Sequence, residues 1–350
     1  MSLPALLLIS AVITADPAPF YANKLDLSYY SDAAGAKNPI ASPADWRVRK
    51  GHLLENMQLV MGYLPPERMR VPLDIQIESE TETPKYTLKK LTYAGEPGDR
   101  VPAYLLVPKD LNSKAPAMLC LHQTNNFGGA EPAGLDGLPN LFYAKELAER
   151  GYVCLAPDYP RFGRYQIDVY RMGYASATMK GIWNHKRGVD LLQGLPEVDG
   201  DRIGCIGHSL GGHNTLFVSA FDERIKVAVT SCGFTRFAKY YKGDLTGWTH
   251  RGYMPRIDAV YGKDPARVPF DFPDILASLA PRYVFINAPT RDANFDVDGV
   301  RESVDAAKKI FAIHKADDHI VAVHPDCEHD FPPEIREQAY EFIDTALESN

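Results

Sequence analysis

The run Ile203-Gly204-Cys205-Ile206-Gly207-His208-Ser209-Leu210-Gly211-Gly212 stays largely apolar until it breaks in G-H-S-L-G. That break is a G-x-S-x-G nucleophile elbow, in which a strand turns sharply into a helix and holds a serine on the turn. Gly207 and Gly211, two residues either side of Ser209, allow the two backbones to approach. The hydroxyl then stands at a helix N-terminus, whose N–H groups favour developing negative charge. The five-residue pattern alone is common, so its context must agree. Residues 202–206 read as a short buried strand entered from the turn-like cluster Asp199-Gly200-Asp201, and the run from Ser209 through Phe217, Ala220 and Phe221 suits a packed helix.

A nucleophilic serine needs a base, and the base needs an orienting carboxylate. After an elbow of this kind the order is serine, acid, histidine, with the acid just past a later strand and the histidine on the loop before the last helix. Ten histidines are present. His52 and His185 fall in helices, His122 precedes the elbow, His208 and His213 flank the serine, His250 falls in a later insertion, and His314, His319 and His324 sit at element ends. His329, in Cys327-Glu328-His329-Asp330-Phe331, occupies the required loop and is the expected base; a solvated loop histidine is the plainer alternative. For the acid, the strand 283–287 leads into Ala288-Pro289-Thr290-Arg291-Asp292, which makes Asp292 the natural orienter. Asp296 and Asp298 compete from the same loop, and any of the three could instead be a turn or cap carboxylate.

An oxyanion hole needs two N–H donors. One should belong to Leu210, the residue after the nucleophile, and the other to the loop after the first central strand, where the backbone of Gln123 is the candidate and His122 a brace. The chemistry these parts permit is acyl transfer to water: the imidazole removes the serine proton, the serine attacks an ester carbonyl, and water releases the acyl group. It requires no metal or organic cofactor, and the chain has no His-Glu-x-x-His and no phosphate-binding glycine loop.

The elements that must position these residues alternate. Residues 43–63 read as an amphipathic helix with Ser42 as N-cap, stopped by Pro65-Pro66. Strands are expected at 73–77, 86–93 and 101–107, the last two joined by a hairpin turn at Gly95-Glu96-Pro97-Gly98-Asp99. From residue 116, strands at 117–121, 152–156, 202–206, 225–230, 283–287 and 320–323 alternate with helices at 141–150, 177–195, 209–221, 300–311 and 333–347. That rhythm means crossover connections and a mostly parallel α/β sheet with helices on both faces, plus an antiparallel N-terminal hairpin at one edge. Residues 233–280 interrupt it with an aromatic-rich stretch, too long for a structureless loop, which reads as a cap inserted over the strand C-terminal ends. Most of its aromatics are expected to pack the cap's own core. Trp248 and Tyr253 are the exceptions, expected to stack on substrate.

Composition narrows the rest. A chain of 350 residues can bury a sizeable core, and a net charge of −7 with no dense Lys/Arg run argues against a nucleic-acid surface. No apolar stretch is long enough to span a bilayer. Residues 1–22 read as a signal segment, with an apolar run at 3–13 and a cleavage position at Ala15, although no Lys or Arg precedes the run. A signal implies a secreted or periplasmic protein. A short terminal element packed on the domain is the alternative and implies a cytoplasmic one. Residues 23–115 then form the N-terminal helix and edge strands, and 116–349 the catalytic core. Cys120, Cys154 and Cys205 fall in buried strands, Cys232 and Cys327 follow strands near the active edge where they could pair, and the odd total argues against a disulfide framework or structural zinc. Oligomeric state leaves no sequence signal.

The segments Leu121-His122-Gln123-Thr124, Ala156-Pro157-Asp158-Tyr159-Pro160, 201–209 and Glu328-His329-Asp330-Phe331 resemble the α/β-hydrolase superfamily, and within it the dienelactone-hydrolase and acetyl-xylan-esterase-like branch. The resemblance covers residues 116–349. It implies the α/β-hydrolase fold and a serine carboxylesterase acting on a small-molecule or oligosaccharide ester, such as an acetylated plant or algal polysaccharide. Three departures stand out. Dienelactone hydrolases proper place cysteine where Ser209 stands, glucuronoyl esterases place arginine where Leu210 stands, and the usual His-Gly of the oxyanion loop is His122-Gln123 here. Prolyl-oligopeptidase relatives share the elbow but carry a propeller, for which the first 115 residues leave no room. Small-substrate peptidase or amidase activity, and a non-catalytic binding protein on the same fold, are the alternatives.

Overall fold

A computed structural model describes residues 18–348. The apolar run and Ala15 of the expected signal segment lie outside them. Of that segment's end, Tyr21 is buried against the domain, its hydroxyl 2.9 Å from His52 Nδ1.

The first elements are a small ribbon of β1 (Tyr29–Ser31) and β2 (Lys37–Pro39), followed by helix α1 (Pro43–Met61). Helix α1 starts where the sequence indicates: Ser42 accepts from Asp45 N while Asp45 accepts from the Ser42 backbone, a reciprocal capping box. Arg49 on α1 is fully buried, its guanidinium 3.0 Å from Asp274 and also donating to the carbonyls of Asp26 and Tyr29, so one cation ties helix, ribbon and a distant segment.

The body is a nine-stranded sheet. Its antiparallel edge is β3 (Gln76–Glu82), β4 (Tyr86–Glu96) and β5 (Asp99–Pro108); then come the parallel strands β6 (Ala115–Leu121), β7 (Val153–Pro157), β8 (Val198–His208), β9 (Ile225–Ser231), β10 (Tyr283–Asn287) and β11 (Ile320–Val323). In space the order is β3-β4-β5-β7-β6-β8-β9-β10-β11. Each central strand is buried on both faces, which is why it reads as a continuous apolar run. Met118, Cys120, Ile206 and Phe285 face helices α2 (Tyr143–Ala148) and α8 (Pro333–Glu348) through Leu147, Ala339 and Ile343. Leu119, Leu121 and Cys205 face the other way, onto Val189 and Leu192 of α3 (Ala177–Gly194) and Val218 of α4 (Leu210–Phe221). The sheet is therefore the expected α/β layer, with its N-terminal edge a three-stranded meander.

Three local expectations are corrected. Strand β3 lies at 76–82 instead of 73–77. It is exposed throughout and held by cross-strand charge pairs, Glu78 with Lys90 and Glu80 with Lys89, which an apolar-alternation rule does not register; such a charged edge resists pairing with other chains. Asp199-Gly200-Asp201 lies inside β8: Val198 pairs opposite Ala115 and Ile203 opposite Ala117, so the intervening residues bulge from the ladder. The hairpin turn is only Pro97-Gly98, since Glu96 and Asp99 pair with each other within the strands. Both carboxylates are buried and meet Lys180 Nζ from α3 at 2.9 and 2.6 Å, with Tyr174 and Tyr165 hydroxyls donating to them. A counter-charge from far along the chain turned expected turn residues into interior ones.

The inserted segment 233–280 carries no core of its own. It consists of short 3₁₀ turns at Tyr240–Gly243 and Leu245–Thr249 and the helices α5 (Arg256–Ala259) and α6 (Phe272–Ser278). Phe234, Phe237, Trp248, Phe270 and Phe272 are buried in the same apolar cluster as Phe217 of α4 and Phe311 of α7 (Val297–Ile313). All five cysteines are free thiols, so the pairing considered for Cys232 and Cys327 does not form.

Removing Lys180 would strand two carboxylates in the interior. Lys180→Met is expected to lower stability by about 3–5 kcal/mol, the usual cost of breaking a buried ion pair from one side. Urea denaturation at neutral pH checks this, and a loss under about 1 kcal/mol would show that water reaches the pair.

Candidate active site

All six parallel strands end at the same edge, and every singled-out side chain leaves from that edge. At the end of β8, Ser209 has φ +53° and ψ −116°, a left-handed conformation that side chains rarely adopt. Such a residue costs about 1–3 kcal/mol and persists only where its surroundings dictate it. Here Ser209 N donates to Ser231 O at 2.8 Å and His213 N donates to Ser209 O at 3.2 Å. A Cβ on Gly207 would collide with the Gly211 backbone, and one on Gly211 with the carbonyl oxygen of Leu121. Both glycines are thus required by backbone contact, as the motif predicts.

Asp292 lies five residues beyond β10 and His329 in the loop before α8. Their contact is His329 Nδ1 to Asp292 Oδ2 at 2.8 Å. Asp292 Oδ1 accepts from Asn294 N and Phe295 N at 2.8 and 3.2 Å, so the carboxylate is held from both sides; its side chain is 1% exposed and that of His329 24%. The rivals point elsewhere. Asp296 caps α7 by accepting from Asp298 N and Gly299 N, and Asp298 pairs with Arg301. A polar layer underneath fixes the loop: Asn287 Nδ2 donates to Ser231 Oγ and to Asp330 O, both at 2.9 Å, and His208 Nδ1 lies 2.9 Å from Ser231 Oγ.

Ser209 and His329 line one cavity of about 330 Å³, together with Gln123, Leu210, Trp248 and Tyr253. The sequence-derived residues therefore converge, with Asp292 behind His329. The loop after β6 is braced as a unit. His122 Nδ1 meets Gln123 O at 2.6 Å and its Nε2 accepts from Tyr159 N at 2.9 Å, which assigns the proton to Nδ1. Burial holds the His122 pKa below the usual imidazole range, in keeping with a neutral brace. Gln123 Nε2 donates to Glu131, which also accepts from Asn125 and from Leu138 N. Tyr253 OH is 2.5 Å from Thr124 Oγ1, joining the inserted segment to this loop.

Sequence reasoning missed His213, Tyr240, Asn294 and Phe295 as cavity residues. His213 had a signal: four residues after Ser209 on a helix, it must lie on the same face. Among the described residues, one trio, His208, Cys232 and His329, offers metal-ligating atoms within 4.8 Å of one another, but each histidine already engages a ring nitrogen on Ser231 or Asp292. Burial, and then the Asp292 charge, pushes the Cys232 thiol well above its ordinary pKa, so it is no thiolate nucleophile at neutral pH. No helix among the described residues is long and apolar enough to cross a membrane.

Comparison with known proteins agrees with this fold. Residues 141–344 match the family described as the prolyl oligopeptidase family. The Bacillus subtilis protein YtaP, named as a hydrolase, is 32% identical over 184 residues, covering 49% of this chain and 60% of that protein. The chain spans less than two thirds of the length of the curated relatives it matches. A glucuronoyl esterase from Solibacter usitatus superposes with a TM-score of 0.69 at 17% identity, covering 90% of this chain and 96% of that one. Acetyl xylan esterase 1 from Thermoanaerobacterium gives 0.56 at 19%, covering 86% and 93%. At such identities the likeness is one of fold, the α/β-hydrolase fold.

The glycine contacts give a direct check on the elbow. Gly211→Ala is expected to cost more than about 3 kcal/mol, because its clash is with backbone. Gly51→Ala, in α1 with open space around it, is expected to gain about 0.5–1 kcal/mol. Thermal unfolding of the two variants reads both signs.

Proposed function

This chain belongs to the prolyl oligopeptidase family, and from that premise we propose that it hydrolyses carboxylic esters through Ser209, His329 and Asp292. The observation that carries the reading is the 2.8 Å contact between His329 Nδ1 and buried Asp292, beside a cavity that Ser209 and His329 share. Asp292 can only accept in its ionised form, so the contact places the imidazole proton on Nδ1 and leaves Nε2 to take the serine proton. Ser209 attacks the ester carbonyl. The N–H groups of Leu210 and Gln123 receive the oxyanion, Leu210 at the start of α4 where the helix dipole adds to the effect. His329 then protonates the leaving alcohol, and a water activated by the same base releases the acyl group.

The substrate we favour is a small carbohydrate ester, an acetylated sugar foremost. The cavity is at the small end of ligand sites. Trp248 and Tyr253 offer aromatic walls within it, and the fold relatives include enzymes named as glucuronoyl and acetyl xylan esterases. Leu210 leaves the position after the nucleophile apolar. Peptide or amide hydrolysis is the second reading, favoured by the family model.

Hydrolysis of p-nitrophenyl acetate is expected in the wild type and lost in Ser209→Ala. A non-catalytic binding protein would show neither. Asp292→Asn is expected to lower kcat by about 10⁴-fold, through the wrong imidazole tautomer. Asp296→Asn should stay near wild type, since Asn caps a helix as well as Asp does. Equal losses in the two variants would remove Asp292 from its role. Acetate release from acetylated xylo-oligosaccharides should exceed release from aryl acetates. Faster cleavage of aminoacyl p-nitroanilides than of either ester would favour the peptidase reading.

A further inference from the structure

We propose that His213 and Trp248 form a hydroxyl-recognition pair in the Ser209 cavity: a substrate hydroxyl on the carbon next to the ester-bearing carbon donates to His213 Nε2 and accepts from Trp248 Nε1–H. This deepens the ester-hydrolase reading and rests on it.

Both residues line the cavity that holds Ser209 and His329, and both are at least nine-tenths buried. Their rings lie with centroids 4.8 Å apart, so they present one patch. His213 Nε2 and Trp248 Nε1 are buried polar atoms with no hydrogen-bond partner among the described residues. Three other polar side chains of the same wall are engaged: Gln123 Nε2 on Glu131, Thr124 with Tyr253, and Asn294 Oδ1 with the Tyr241 hydroxyl. A buried polar atom without a partner costs stability, and two such atoms, one on each of two neighbouring rings that line the cavity, point to a ligand that supplies what they lack.

Their chemistry selects the ligand group. His213 Nδ1 lies 3.2 Å from Gly233 O, and a carbonyl only accepts, so the ring proton is on Nδ1 and Nε2 presents a lone pair. Burial pushes the His213 pKa down to about 3, which keeps the ring neutral at physiological pH. Trp248 Nε1 can only donate. The patch therefore offers one acceptor and one donor. A carboxylate would satisfy the indole and face the imidazole lone pair; an ammonium would satisfy the imidazole alone; an alkyl group satisfies neither. A hydroxyl donates and accepts at one atom and meets both. His213 stands one helical turn from Ser209, which sets the recognised hydroxyl close to the reacting carbonyl. Polyhydroxylated esters, sugars among them, carry such a group, and simple alkyl and aryl esters do not.

The test uses matched substrates that differ by one hydroxyl. Cyclohexyl acetate against trans-2-hydroxycyclohexyl acetate places it on the leaving alcohol. Methyl cyclohexanecarboxylate with and without a 2-hydroxyl places it on the acyl part. For the wild type, kcat/KM is expected to favour the hydroxylated member of one pair by about tenfold or more, because a site built to bond a hydroxyl discriminates against its absence. The pair that shows the preference identifies which side of the ester the patch reads. In His213→Asn, which can keep the Gly233 contact but lacks the outer ring nitrogen, and in Trp248→Phe, which keeps an aromatic ring without the N–H, that ratio should fall toward one. Equal rates within both pairs, or a preference that survives both substitutions, overturns the inference and leaves the esterase reading standing. Failure to hydrolyse any of the four esters, or p-nitrophenyl acetate, overturns both.

Discussion

The backbone contact between Gly211 and the carbonyl of Leu121, with Gly207 packed on Gly211 from the other side, is the constraint on which the rest of this molecule depends. It brings the first turn of α4 against the ends of β6 and β8 with no side chain between them. Only at that distance does the chain pass from strand to helix in one residue, and that residue, Ser209, must take a left-handed conformation. The strain is held by a strand-end hydrogen bond to Ser231 and by the start of α4. Stability stored in the sheet is thus converted into a fixed direction for one hydroxyl, a common bargain at functional sites.

The same edge organises the other groups by lateral bonds between successive strand ends. Cys232 N donates to Asn287 O, Ala288 N to Val323 O, and Arg291 N to Cys327 O, so the loops bearing Asp292 and His329 are zipped together before any side chain is considered. Histidine is used here with different partners to different ends. His122 and His213 are neutral and buried, each with one ring nitrogen on a backbone carbonyl. His329 has a carboxylate instead and stays partly exposed, as its proposed role of proton shuttle requires. Partner and burial, more than residue type, separate the braces from the proposed base.

The legibility of the sequence divides along physical lines. Where burial on both faces or backbone geometry dictates residue type, the sequence is explicit: β10 and β11 fall at the residues expected, Ser42 caps α1, and G-H-S-L-G encloses a positive-φ serine. Where a remote partner decides the outcome, it is silent. Glu96 and Asp99 read as turn residues because Lys180 lies some eighty positions away. Strand β3 read too early and short because charge pairs replace apolar alternation. The aromatic stretch 233–280 announced itself by composition, and Trp248 and Tyr253, singled out within it, do line the cavity, but nothing local showed that Phe237 and Phe272 join the main core. At the site, the order of Ser209, Asp292 and His329 was readable, whereas the choice among Asp292, Asp296 and Asp298 depended on which carboxylates the backbone of α7 engages.

The central claim is that His329, oriented by Asp292, makes the Ser209 oxygen a nucleophile. Reaction with phenylmethylsulfonyl fluoride, followed by peptide mass spectrometry, tests it most directly. The account predicts a single sulfonyl adduct on Ser209, formed readily in the wild type and much more slowly in His329→Ala. An adduct on another residue, or one on Ser209 that forms as fast without the imidazole, would contradict it.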